Sequence, residues 1–205
     1  MSRFYPIIDL AVSGPKGAGI AGALARAGCD LVQVRAKSAT SSELFTFAQA
    51  VRDSVGPGCR VIVNDRLDVA LAVEAAGVHL GEEDLPVEAA RRIAPAGFII
   101  GATARDPLAA RRAAQAGADY LGAGAVFTTG HKSDTRLIGL DGLAAVAAAV
   151  DIPVYAIAGI TLENCARTVR AGAYGAAGIS AIANSDDPAA SFTRLDRALR
   201  EAASG

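Results

Sequence analysis

The chain is 205 residues long, 52% hydrophobic and 5% aromatic with no Trp, so a sizeable core must be built from Ala, Val, Ile and Leu. Its 20 basic and 21 acidic residues leave a net charge of -1, which excludes the basic surplus of a nucleic-acid binder; no nucleic-acid partner is expected. No apolar run reaches the roughly 20 residues that span a bilayer, and MSRFYPIIDL lacks a signal peptide's apolar region, so a cytoplasmic protein without membrane association is expected.

Taken in chain order, short β-rich runs recur at FYPIIDL, LVQVRA, RVIVND, GVHLG, FIIGAT, DYLGAGAVF, PVYAIAG and YGAAGISAI. Segments with helical spacing separate them, among them SSELFTFAQAVRDSV, RLDVALAVEAA, PLAARRAAQA and LENCARTVRA, and DPAASFTRLDRALREAA supplies the last helix. The first run is followed by AVSGPKGAG, which is Gly-rich without GxGxxG spacing and reads as a loop. An Ala-Gly pair precedes a strand at Ala27-Gly28, Ala76-Gly77, Ala116-Gly117 and Ala171-Gly172, where glycine can end a helix in the left-handed conformation. Helix starts carry cap residues at Ser41-Ser42-Glu43, Asp106-Pro107 and Thr161-Leu162-Glu163. Cys29, Cys59 and Cys165 lie far apart in sequence, without a CxxC, and read as small buried hydrophobes of a reduced protein.

Alternating strands and helices predict a parallel sheet covered by helices, and near-continuous apolar strands fit burial on both faces. Eight strand-helix pairs predict an α/β fold, a single (β/α)8 TIM barrel, with one domain over residues 1–205. The rival, an open doubly wound sheet, would carry its phosphate-binding glycines after the first strand. Chemistry in a barrel belongs at the C-terminal strand ends.

At the second strand end, QVRAK, alternation places Gln33, Arg35 and Lys37 on one face, and the apolar Val32, Val34 and Ala36 should meet the helices. Two inward cations need an anion, and Arg suits phosphate. Asp65 and Asp84 follow the next two strands and would share one rim; carboxylates aimed at one site repel, so one takes a proton or a cation sits between them. Beside an anion site that cation is Mg²⁺, which takes oxygen ligands and is shared with substrate phosphates. The competing role for each carboxylate is a helix N-cap. Glu82 and Glu83 compete as ligands. His79 points to the interior or the mouth and reads as a structural histidine. The long polar segment AVFTTGHKSDTRLIG, with Thr128, Thr129, His131, Lys132 and Ser133, reads as a loop closing over an anion. Gly159, Gly178 and Ser180, after the last two strands, offer a backbone phosphate site. Two anion sites and no nucleophile-base pair fit loss of pyrophosphate and capture by a second substrate.

QVRAK, NDR, GVHLGEEDLP, AGADYLGAG, VFTTGHK, AGI and GISAI together resemble the thiamine phosphate synthase family, in the same order and over nearly the whole chain. The resemblance implies a transferase joining a hydroxymethylpyrimidine pyrophosphate to a thiazole phosphate, with pyrophosphate leaving first to form a pyrimidine-stabilised cation that the thiazole nitrogen attacks. It implies Mg²⁺ on Asp65 and Asp84, and pyrimidine pyrophosphate on Gln33, Arg35, Lys37, Asn64 and Lys132, with Arg35, Lys37 and Lys132 acting catalytically. It implies thiazole phosphate on Thr129, Gly159, Ile179 and Ser180, with His131 in the same altered loop. Thr103 stands where the family usually has Ser. Ala125 and Thr128 replace usual prolines, His131 a Thr and Ala158 a Gly, mostly on the thiazole side. The alternatives on the same barrel are a thiazole tautomerase-like isomerase and a non-catalytic ligand-binding regulator. The partners expected are the two small-molecule substrates, and the sequence leaves a homo-oligomer open.

Overall fold

The computed structural model describes residues 1–128 and 137–205. Because the strands are largely apolar, each can be sandwiched between an interior and a helix layer, and the chain does this around a closed ring. The strands β1 (Phe4–Asp9), β2 (Leu31–Arg35), β3 (Arg60–Asn64), β4 (Gly77–Leu80), β5 (Ile99–Ala104), β6 (Tyr120–Ala123), β7 (Val154–Ile157) and β8 (Gly175–Gly178) pair in parallel and in chain order, with β8 returning to β1. This is the (β/α)8 barrel that the alternation predicts.

The helices are α1 (Leu10–Ser13), α2 (Gly17–Arg26), α3 (Ser41–Val55), α4 (Leu67–Ala72), α5 (Val87–Ile93), α6 (Pro107–Gln115), α7 (Gly139–Ala147), α8 (Cys165–Arg170), α9 (Ser180–Ala183) and α10 (Pro188–Ser204). Strand periodicity divides the core in two. Residues such as Val32, Val34, Val61, Val63, Val78 and Leu80 face the helices. Tyr5, Ile7, Leu31, Ile62, Tyr120, Tyr155 and Ala177 fill the barrel interior. No helix among the described residues is long and apolar enough to cross a membrane.

Four local expectations change. AVSGPKGAG is not a loop: Asp9 Oδ1 accepts the Ala11 N–H at 2.9 Å and starts α1, and a 3-10 turn over Gly14–Lys16 leads into α2. Its glycines serve close packing, since a Cβ on Gly17 would lie 2.7 Å from the Phe47 ring of α3. The cap before α3 is Thr40, whose Oγ1 accepts the Glu43 N–H at 3.3 Å while Glu43 Oε2 accepts the Thr40 N–H at 2.7 Å. Thr161 does not open α8, which starts at Cys165; the Thr161 N–H instead donates to Asn164 Oδ1 at 2.9 Å. Asp106 caps α6 as expected, accepting from Leu108 and Ala109. Gly28, Gly117 and Gly172 adopt positive φ, but Gly77 is a strand residue, and Glu74 makes the left-handed turn there instead.

Candidate active site

The mouth is built where the strands end. β1 and β2 pair with Asp9 opposite Arg35, so the last inward side chain of each strand meets across the rim. Their side chains form an ion pair, and Asp9 is buried at 2% exposure while part of the Arg35 side chain stays open. A bidentate-capable guanidinium held by a buried carboxylate presents its remaining donors to the mouth. Asp9 is a functional candidate that motif reasoning passes over; its signal is parity, since it shares a face with the interior Tyr5 and Ile7.

Gln33 points inward, as alternation predicts, but lies beneath the rim at 3% exposure, where its Nε2 donates to Tyr5 Oη at 3.2 Å. Lys37 lies just past β2, and its Nζ is 2.5 Å from Asp65 Oδ2. Asn64 ends β3 opposite His79 of β4. The next residue, Asp65, turns into the left-handed region with φ 65, and its N–H donates to the His79 carbonyl at 2.7 Å. A non-glycine residue held at positive φ stores strain of about 1–3 kcal/mol and often marks a functional site. The helix-cap alternative fails for Asp65, because Arg66 holds the position ahead of α4 and no side chain caps that end. It fails equally for Asp84: Pro86 precedes α5, and Asp84 Oδ2 accepts the Gly81 N–H at 2.6 Å, closing the turn after β4.

The two carboxylates interact. Burial, then hydrogen bonding with Asp65, pushes the Asp84 carboxyl above its usual range, and Lys37 pulls it back. That is the signature of carboxylates aimed at one place and short of positive charge. Glu82 pairs with Arg105 on the surface. Among the described residues no three His, Cys, Asp or Glu gather as a full metal cage. The donor set is therefore a pair of carboxylates beside Lys37, and such a pair suits a cation that keeps waters and shares a phosphate.

His79 stays partly accessible at the mouth, but its ring is enclosed. Its Nδ1 lies 3.1 Å from Tyr120 Oη and its Nε2 3.1 Å from Thr103 Oγ1. Burial lowers its pKa to about 4, so the imidazole is neutral at pH 7. The structural reading of His79 stands, and it brings Thr103 into the same wall as Asn64, Asp65 and Asp84.

Across the ring, at β7 and β8, the rim is small and made of backbone. Ala158 and Gly159 both have positive φ, at 79° and 67°. Ala158 holds this left-handed shape despite its Cβ. A Cβ on Gly159 would come 2.7 Å from Phe127 Cβ and 2.8 Å from the Thr128 carbonyl, so glycine is required there by both space and φ. Asn164 Nδ2 donates to the Gly159 carbonyl at 2.8 Å, and Ile179 leads into Ser180 at the start of α9. An open cleft of about 260 Å³, lined by Thr161, Ser180, Ser191 and Arg194 among others, flanks this rim; none of the charged groups of β1–β4 reaches it. Thr129, His131 and Lys132 lie outside the described residues. At the start of β2 and β3, the barrel brings Cys29 and Cys59 together; hydrogen bonding with Cys59 and burial push the Cys29 thiol up.

The chain is similar to known proteins over most of its length. A family profile described as thiamine monophosphate synthase covers residues 4–182. The thiamine-phosphate synthase of Haloquadratum walsbyi is 46% identical over 172 residues, 82% of this chain and 77% of that protein. That of Pyrococcus horikoshii is 40% identical over 200 residues, 97% of this chain and 95% of its own. A solved thiamine phosphate pyrophosphorylase from Pyrococcus furiosus superposes with a TM-score of 0.87 at 37% identity, covering 98% of this chain and 96% of its own. The chain belongs to the thiamine monophosphate synthase family, and so to the transferases.

Proposed function

We propose that this protein joins a hydroxymethylpyrimidine pyrophosphate to a thiazole phosphate, releasing pyrophosphate and giving thiamine phosphate. The observation supporting this reading is that the two sides of one mouth differ in make. The β1–β4 side has the Asp9-held Arg35, with Lys37 on Asp65 and Asp84 beside it. The β7–β8 side has left-handed backbone and small residues. A highly charged pyrophosphate with its counter-ion fits the first, and a monophosphate fits the second.

Asp65 and Asp84 would hold Mg²⁺, and the donor chemistry fits: two carboxylate oxygens, one of them disfavoured as an anion without added positive charge. The metal, when bound, would neutralise charge on the departing pyrophosphate. Arg35 and Lys37 supply cations to the same oxygens, with Lys37 moving from Asp65 to the substrate. Lys132 is proposed to join them, and Asn64 and Thr103 to bind the same pyrimidine pyrophosphate. Gln33 would act from beneath, through the interior hydrogen bonds it makes. Gly159, Ile179 and Ser180 are proposed to hold the thiazole phosphate, with Thr129 and His131 of the neighbouring loop. Loss of pyrophosphate before attack suits a site of cations and positioning groups.

The test mixes the protein with both substrates and Mg²⁺ and follows thiamine phosphate as its fluorescent thiochrome derivative. Product that disappears with chelator supports the synthase and its metal together. Product unaffected by chelator removes the metal. No product with pyrimidine pyrophosphate still bound points to another acceptor. Neither product nor binding overturns the reading in favour of an isomerase or a regulator.

A further inference from the structure

Beneath the mouth, the barrel interior holds five polar side chains in one unbroken row. Gln33 Nε2 donates to Tyr5 Oη at 3.2 Å. Tyr5 Oη lies 3.0 Å from Tyr120 Oη, and Tyr120 Oη lies 3.1 Å from His79 Nδ1. His79 Nε2 lies 3.1 Å from Thr103 Oγ1, at the rim. Tyr5 and Tyr120 are each 2% exposed, so both hydroxyls are shielded from bulk solvent.

Proton counting gives the row a direction. Each hydroxyl has one proton, and a neutral imidazole has one N–H. Tyr5 accepts from Gln33, and among the described residues its only acceptor is Tyr120 Oη. Tyr120 must then donate to His79 Nδ1. The imidazole proton is left on Nε2 and goes to Thr103 Oγ1. Thr103 accepts from below, and its own proton is free to point into the mouth. With the Gln33 amide nitrogen toward Tyr5, as here, the reverse direction leaves the buried Tyr5 proton without an acceptor, which is the more costly arrangement.

We infer that Tyr5, Tyr120 and His79 are positioning residues that hold Thr103 as a hydrogen-bond donor toward the anionic oxygens of the pyrophosphate-bearing substrate. This rests on the functional reading above. A hydroxyl that donated downward would turn a lone pair toward an anion and weaken binding. Three polar groups behind Thr103 thereby acquire a role in recognition.

The test has a part that needs no substrate. Two-bond ¹⁵N–¹H spectra of the histidine-labelled protein, with His79→Gln assigning the signals, should show His79 as the Nε2–H tautomer. The Nδ1–H tautomer overturns the row's direction. In the second part, Tyr120→Phe should raise the KM for pyrimidine pyrophosphate about tenfold, the loss of one hydrogen bond to a charged group. The KM for thiazole phosphate should stay within about twofold by the same reasoning, because the row ends on the other rim. Thr103→Val should cost as much, and the double variant no more than Thr103→Val alone. Additive losses, or a KM unmoved while thermal stability falls, mean the row is structural only and overturn the proposal. Calorimetry on the wild type separates the two claims. A protein that binds no pyrimidine pyrophosphate refutes the functional reading, and this proposal with it. Binding with the wrong tautomer refutes the row alone.

Discussion

Replacing Asp9 with Asn tests how the mouth holds its principal cation. Asn keeps a carbonyl oxygen for the Ala11 N–H, so the start of α1 survives. It removes the charge facing Arg35 and can turn an amide N–H toward a guanidinium that only donates. Breaking a fully buried pair costs about 3–5 kcal/mol. The Arg35 side chain is 22% exposed and can recover water, so we expect about 2–3 kcal/mol here. For a chain of this size that is a fall in Tm of roughly 5–10 °C. A guanidinium freed from its tether loses the orientation needed for two parallel bonds to phosphate, so KM for the pyrimidine pyrophosphate should rise about tenfold or more. Thiazole phosphate binding, on the opposite rim, should change little. Calorimetric melting and separate titration of the two ligands read both effects. An Asn variant with wild-type Tm and wild-type affinity for the pyrophosphate ligand would falsify the claim that Asp9 orients Arg35.

Asp84→Asn should abolish Mg²⁺-dependent turnover yet leave the protein folded. The Asp84 carboxyl titrates above its unfolded value, so its share of stability is whole below that value and lost as pH rises through the folded one. At pH 7 the substitution therefore relieves a repulsion, and Tm should hold or rise by about 1–3 °C after allowing for solvent screening; a clear loss of Tm, or retained turnover, contradicts the assignment. His79 gives the opposite pH signature. Its pKa falls from 6.5 to about 4, so its contribution is whole above pH 6.5 and drains away as pH falls toward 4, about 3 kcal/mol in all. Urea unfolding at pH 7 and pH 4 should show that loss in the wild type and not in His79→Gln; equal losses in both would locate the effect elsewhere. Gly159→Ala places a methyl 2.7 Å from Phe127 at φ 67, and should raise the KM for thiazole phosphate about tenfold with the pyrimidine side spared; equal effects on both substrates would count against two separate rims.

The fold was legible because its signals are local and repeated. Apolar strand runs, helical segments and Ala-Gly joints recur often enough that one misread joint, such as Ala76-Gly77, does not disturb the count of strands. The inward aim of Arg35 was also legible, because side chains alternate along a strand whatever surrounds them. Strand adjacency placed Asp65 and Asp84 on one rim, and tertiary structure removed the helix-cap use by setting α4 and α5 to start beyond both residues, while turning Asp65 into the left-handed region.

What the linear chain could not show are pairings across the barrel. Asp9 meets Arg35, and Cys29 meets Cys59, only because β1, β2 and β3 lie side by side in a particular register. The row from Gln33 to Thr103 draws its members from five strands, and no spacing in the sequence links them. Alternation says which way each side chain points; which groups then come within hydrogen-bonding distance is set by strand register and ring closure, properties of the assembled sheet.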